Sequence, residues 1–127
     1  MVQNIALGFA VLLAIGIMLI GTQYIVSQTA ATKMFGLPLP EGGANTVWWI
    51  RLKGVRDITS GIAVLTMLIW GTHPHVGLVL LAESCIPVGD MLMILGAKGS
   101  TSKAYGMHGG TAVVMVLTGI ALVTGMQ

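Results

Sequence analysis

Four apolar stretches, each long enough to cross a bilayer as a helix, take up most of this chain. A helix rising ~1.5 Å per residue needs about 20 residues to span the hydrocarbon core. Runs of that kind extend from about Ile5 to Val26, Val47 to Gly71, Val76 to Ala97 and Ala104 to Thr124. The 127 residues are 55% hydrophobic and only 8% charged. Soluble domains carry about 25% charged residues, so this inventory does not cover a water-facing surface. The sequence therefore predicts an all-α fold, an integral membrane four-helix bundle in which residues 1–127 form a single transmembrane domain. The first run exceeds the apolar segment of a signal peptide, and Lys and Arg are absent from Met1 to Thr32. It is read as a retained helix.

The connections set the orientation. Ser27 to Thr46 reads as the one long loop, with turn formers in FGLPLPEGGAN. Thr72 to His75 reads as a tight hairpin in which Pro74 stops the helix, and AKGSTSK as a short polar loop. All six basic side chains, Lys33, Arg51, Lys53, Arg56, Lys98 and Lys103, fall on one side of this arrangement. The positive-inside rule then places both basic loops in the cytoplasm and both termini outside, with the cell (inner) membrane as the expected location. Trp48, Trp49, Tyr24 and Tyr105 mark the cytoplasmic interface and Trp70 the outer one. The net charge of +2 rests on ten ionisable acids and bases and points to no nucleic acid. The single cysteine, Cys85, excludes an intrachain disulfide and reads as a small buried hydrophobe.

Three carboxylates sit inside the apolar runs: Asp57, Glu83 and Asp90. An acid near a helix centre costs roughly 3 kcal/mol, so it turns toward a partner, a cavity or water. Aspartate is also too short to snorkel. Lys53 and Arg51 lie within a turn of water; Lys53 reads as a snorkelling anchor, and Arg51 fits an anchor or a site equally. Arg56 is deeper and reads as the partner of an acid. The face of Asp57 carries Lys53, Gly54, Ser60 and Gly61, which suits contact with another helix.

Glu83 and Asp90 are seven residues apart on one face, about two turns. Pro87 between them leaves the Glu83 carbonyl without its helical donor. An antiparallel arrangement brings Asp57, Asp90 and His108 to similar depth, with Glu83 nearer the middle. If Arg56 alone opposes three acids, one carboxyl is expected to hold a proton. These residues supply acid–base candidates (Asp57, Asp90, Glu83 and His108) and binding candidates (Arg56, Arg51 and Trp49). The structural alternatives are a kink with hydrogen-bonded acids and a capping histidine. His73 and His75 flank Pro74 without a nearby third ligand, so neither a metal nor a cofactor is expected. Gly106 and Gly110 fit a small-xxx-small packing motif, and the nine methionines read as adaptable core.

The block WIRLKGVRDITSGI, followed by AESCIPVGDMLMILG and the glycine-flanked histidine of YGMHGG, resembles a family of small four-helix integral membrane proteins of bacteria and fungi. That family is catalogued as a domain of unknown function; more distantly the chain resembles DoxX-type four-helix proteins. The family pattern maps onto Gly54, Arg56, Asp57, Gly61, Pro87, Asp90 and His108. The resemblance implies the same architecture and highlights Arg56, Asp57, Asp90 and His108, but it brings no general activity. DoxX-like proteins include oxidoreductase subunits and assembly factors.

Three functions fit these parts. The favoured one is a membrane-embedded binding protein or enzyme acting by acid–base chemistry on a lipophilic small molecule, as an isomerase, cyclase or hydrolase. The second is a proton- or cation-coupled transporter or channel subunit, which needs a homodimer or larger oligomer. The third is a non-catalytic subunit of a membrane complex. The lipid bilayer is a partner in all three.

Overall fold

Apolar runs free of internal proline wind into helices, because only a helix satisfies its own backbone where water is scarce. The computed structural model describes residues 1–126, and among them there is no strand. Helix α1 spans Val2–Val26, α2 Gln28–Phe35, α3 Ala44–Trp70, α4 His73–Glu83 and α5 Cys85–Gly96. A short α6 (Thr101–Lys103) leads through a π-helical turn, Ala104–Gly109, into α7, Gly110–Thr124. Three segments are long and apolar enough to cross a membrane: Val2–Val26, His73–Gly96 and Thr101–Thr124. Helix α3 has the length, 27 residues, but carries Lys53, Arg56 and Asp57 in its interior.

The long segments begin at Val2, Ala44, His73 and Thr101, each three residues before the apolar run visible in the sequence. Two connections differ from expectation. The Ser27–Thr46 segment is not loop throughout, because QTAATKMF has no helix breaker and forms α2; Gly36, at φ 108°, ends it. Pro74 does not stop a helix but sits in the first turn of α4, where its missing N–H costs nothing. Only Gly71 and Thr72 remain as the connection. His75 Nδ1 accepts from the Thr72 backbone N–H at 3.3 Å, so this histidine serves as a cap.

Small residues decide how the helices meet. Helices α1 and α3 run antiparallel, with Gly21 against Gly54 and Ala14 against Gly61, one heptad apart on each helix. A Cβ on Gly21 would lie 2.6 Å from the Gly54 carbonyl oxygen, and a Cβ on Gly54 would lie 2.6 Å from that of Gly21. Helices α4 and α7 touch in the same way at Gly77 and Gly119. By contrast, a Cβ on Gly106 or Gly110 would meet nothing within 4 Å. The small-xxx-small reading of that pair is therefore corrected: both glycines border a cavity instead of another helix.

The buried core is built from Ala6, Ala10, Ala14, Val64, Val76, Leu80, Met115, Ala121 and Leu122, whereas many large side chains point outward. Leu12, Ile69 and Leu117 are 67%, 66% and 63% exposed. Small residues inside and large apolar ones outside are compatible with lipid as the solvent. Cys85 belongs to the outer set, and its expected burial is corrected: Ser84 and Pro87 turn inward, which rotates Cys85 out. Gln3 lies beside Gly125, so the start of α1 and the end of α7 are neighbours. At the other end the Ser100 N–H donates to the Gly36 carbonyl at 2.8 Å, joining the two lysine-bearing connections.

The glycine contacts predict a contrast between two substitutions. Gly54→Ala should lower stability by about 1–3 kcal/mol, because neither backbone can retreat from the added methyl. Gly8→Ala, where a Cβ meets open space, should be neutral or stabilising by up to about 1 kcal/mol. Thermal unfolding in detergent measures both; equal melting temperatures for the two variants would contradict this packing.

Candidate functional site

Helices α1, α3, α4, α5 and α7, the π-helical turn and Phe35 of α2 surround a cavity of about 630 Å³. Its walls are mostly apolar, with Phe9, Leu13, Ile17, Ile20, Val64, Leu80 and Met115 among them. Into it project Tyr24, Lys53, Asp57, Ser60, Glu83, Asp90 and His108. A large apolar cavity with a few convergent polar groups is the usual form of a small-molecule site.

Lys53 is the centre of the polar wall. Its Nζ lies 3.2 and 3.1 Å from the two carboxylate oxygens of Asp57, one helical turn on. The same ammonium is 3.9 Å from Asp90 Oδ2 on α5. Two aromatic rings complete the surround, with centroids 5.1 Å (Tyr24) and 5.0 Å (Phe35) from Nζ. Each ring attracts a cation electrostatically. Asp57 is only 6% exposed, and Tyr24 4%. The fold explains this convergence. The Gly21–Gly54 contact brings α1 so near α3 that Tyr24, one turn further along α1, lies over Lys53.

The second carboxylate is placed by a break in its helix. Helices α4 and α5 meet at Ser84, three residues before Pro87, which cannot donate to the Glu83 carbonyl. Beside the break the Ser84 hydroxyl donates to the Leu81 carbonyl at 2.7 Å. Asp90 then faces His108, whose Nδ1 is 3.7 Å from Asp90 Oδ2. His108 Nε2 is 3.0 Å from the Phe35 carbonyl oxygen, and its ring packs edge-on against the Phe35 ring with centroids 4.7 Å apart. A carbonyl only accepts, so the hydrogen resides on Nε2 and Nδ1 is left facing Asp90. Protonation of His108 would put its second hydrogen on the side of the carboxylate. The π-helical turn that carries His108 is a rare geometry, frequent at functional sites. Glu83 lies further along the same cavity, with the Ser60 hydroxyl facing it.

Asp57, Asp90 and His108 thus come together and Glu83 shares their cavity, but the binding candidates Arg56, Arg51 and Trp49 do not line it. Arg56 is exposed, because it precedes Asp57 by one residue and sits about 100° around the helix. The Arg51 guanidinium stacks on Trp48, 5.0 Å from the ring centroid, and Trp49 is 72% exposed. The cation that meets the acids is Lys53 in place of Arg56, and the reading of Lys53 as a snorkelling anchor is corrected. Tyr24, expected to mark the cytoplasmic interface, is buried in the site. The i,i+4 spacing of Lys53 and Asp57 was a signal for the first of these residues. Phe35 had none, since its part depends on α2 folding back. Among the described residues no group of three His, Cys, Asp or Glu is placed to hold a metal ion.

The central role of Lys53 is open to a double-mutant cycle. Lys53→Met should destabilise the protein by about 2 kcal/mol, because it strands Asp57 and Asp90 without their cation. Lys53→Met with Asp57→Leu should cost less than the sum of the single changes, and Arg56→Met should stay within about 0.5 kcal/mol of the parent. Additive losses, or a larger loss at Arg56, would refute the pairing.

No curated protein and no solved structure matches the chain. A protein family does match over residues 14–122, a stretch that includes every residue of the site from Tyr24 to His108. The chain belongs to that family, described as a domain of unknown function, DUF4267.

Proposed function

We propose that all four long helical segments cross the bilayer as a four-helix bundle, and that the cavity between them binds a lipophilic small molecule on which acid–base chemistry is done. The observation that carries this reading is the line of Asp57, Lys53, Asp90 and His108 along one wall of an otherwise apolar cavity. In an apolar surround three carboxyls and one ammonium reach neutrality only with two further protons on the carboxyl–imidazole set. Such a set can take a proton at one group and release one from another, which leaves its total charge unchanged. Asp57, paired with Lys53, serves as base. The Asp90–His108 pair returns a proton, its Nδ1 side open and its Nε2 side fixed on Phe35. Removal of a proton at one atom and return at another is an isomerisation or a cyclisation; Glu83 and Ser60 provide a second polar point along the same substrate.

Crossing by α3 is supported by its geometry as well as its length. Lys53 and Asp57 face the interior as a pair, and the outer face of α3 presents Leu52, Val55 and Ile62 together with the long, flexible Arg56. The basic connections share one end, which the positive-inside rule assigns to the cytoplasm, with both termini outside. Single cysteines at Ser100 and His75 in a Cys85→Ser background test this. An impermeant thiol reagent on intact cells should label position 75 and not position 100; labelling of both from one side would defeat the topology.

The chemical reading is tested in two steps. Purification in mild detergent followed by solvent extraction and mass spectrometry should reveal a copurifying lipophile. Asp57→Asn and Asp90→Asn should then each lower turnover of that molecule or its close analogues about 10²- to 10⁴-fold, with the protein folded and in the membrane. Full activity in both variants would overturn the acid–base role. Proton flux in proteoliposomes that both variants abolish, with no lipophile retained, would favour transport instead.

A further inference from the structure

The lysine-bearing end of the molecule carries an open surface pocket, of about 540 Å³, that shares no residue with the central cavity. Three lysines from three parts of the chain line it: Lys33 on α2, Lys98 in the α5–α6 connection and Lys103 on α6. Among the described residues none of the three forms an ion pair, and Glu41, the one acid in the neighbouring loop, does not line the pocket. Three like charges around a concave space repel one another unless an anion lies between them.

The surrounding backbone fixes these lysines. Lys103 Nζ donates to the Lys33 carbonyl, which holds the third lysine against the first. The Ser100 N–H donates to the Gly36 carbonyl at 2.8 Å. Gly99 is pressed so closely on Gly36 that a Cβ there would strike the Gly36 oxygen. Lys98 has φ 53°, the one left-handed residue other than glycine among those described. A residue with a side chain adopts that conformation only at a steric cost, and here it sends a charged side chain to the pocket. The Ser100 hydroxyl accepts from the Lys103 N–H at 3.4 Å, so its own hydrogen is free for an acceptor. The rim is apolar: Leu37 and Leu39, 39% and 60% exposed, flank Pro38.

We infer that this pocket binds a phosphate group, held by Lys33, Lys98 and Lys103 with Ser100 as an added donor. Lysine ammonium groups and a hydroxyl suit phosphate oxygens. The exposed leucines beside them suit a phosphate that carries acyl chains, so an anionic phospholipid is the favoured source and a soluble phosphorylated compound the other. The inference is independent of the chemistry in the central cavity.

Native mass spectrometry of the whole protein in detergent, offered phosphatidic acid or diacylglycerol of the same chains, provides the test. Phosphatidic acid should stay bound and diacylglycerol should not. Lys33→Gln, Lys98→Asn and Lys103→Gln should each weaken retention about fivefold, since a lysine near an anionic lipid surface contributes on that scale. Asparagine is chosen at position 98 because it tolerates positive φ. Raising the salt should weaken binding in the parent and less so in the variants. Displacement of phosphatidic acid by millimolar inorganic phosphate would identify a soluble phosphate compound as the ligand, and its persistence a lipid; either supports the site. Equal retention of phosphatidic acid and diacylglycerol, or no weakening in any of the three folded variants, would overturn it.

Discussion

The backbone contact between Gly21 and Gly54 is the constraint on which the site depends. At the separation seen, neither glycine can carry a side chain without driving α1 and α3 apart. One turn beyond Gly21, Tyr24 is brought against Lys53, and one turn beyond Lys53 stands Asp57. A looser crossing would withdraw the tyrosine ring from the ammonium and admit solvent or lipid to Asp57. The second glycine contact, Gly77 with Gly119, fixes α4 to α7. These two pairs bring Asp90 and His108 to the wall that α1 and α3 complete. Packing of small residues thus positions the polar side chains, an arrangement compatible with helices that meet in lipid.

Lys53 shows how α3 can hold charge among apolar helices. A charged residue at the centre of a spanning helix costs roughly 3 kcal/mol on insertion scales, and an exposed ion pair returns about 1 kcal/mol or less. One bond to one carboxylate would not offset both members of the pair. Here the ammonium meets two carboxylates and two aromatic rings at once, each ring adding about 0.5–2 kcal/mol as it is desolvated. Four modest attractions on one cation make the arrangement tenable. They also tie α1, α2, α3 and α5 to one point.

The long helices, the inward acids and the shared end of the basic loops were legible in the sequence because each follows from local composition. Apolar run length marks a helix, and an aspartate in such a run has to find a partner. Which cation became that partner was harder to read. Depth favoured Arg56, but helical phase favoured Lys53, and phase prevails because a buried pair needs a common face. The π-helical turn at Ala104–Gly109 left no trace in hydropathy, since it alters hydrogen-bond register and not residue type. The same limit hid Tyr24 and Phe35. Their roles arise from tertiary approach, and neither carries a charge that would have demanded explanation.

Helix α2 gathers these points into a single element. It has eight residues, below the length at which an isolated helix holds in water. Its place is therefore set by what touches it. The Phe35 ring meets Tyr24 and His108, its carbonyl accepts from His108 Nε2, and the Lys33 carbonyl accepts from Lys103. One of these anchors lies at the central cavity and another at the lysine pocket. If α2 shifted, the Phe35 carbonyl would leave His108, and the imidazole would lose the fixed hydrogen that reserves Nδ1 for Asp90. The tautomer that leaves Nδ1 facing Asp90 is thus maintained by a short amphipathic helix in a segment whose sequence reads as loop.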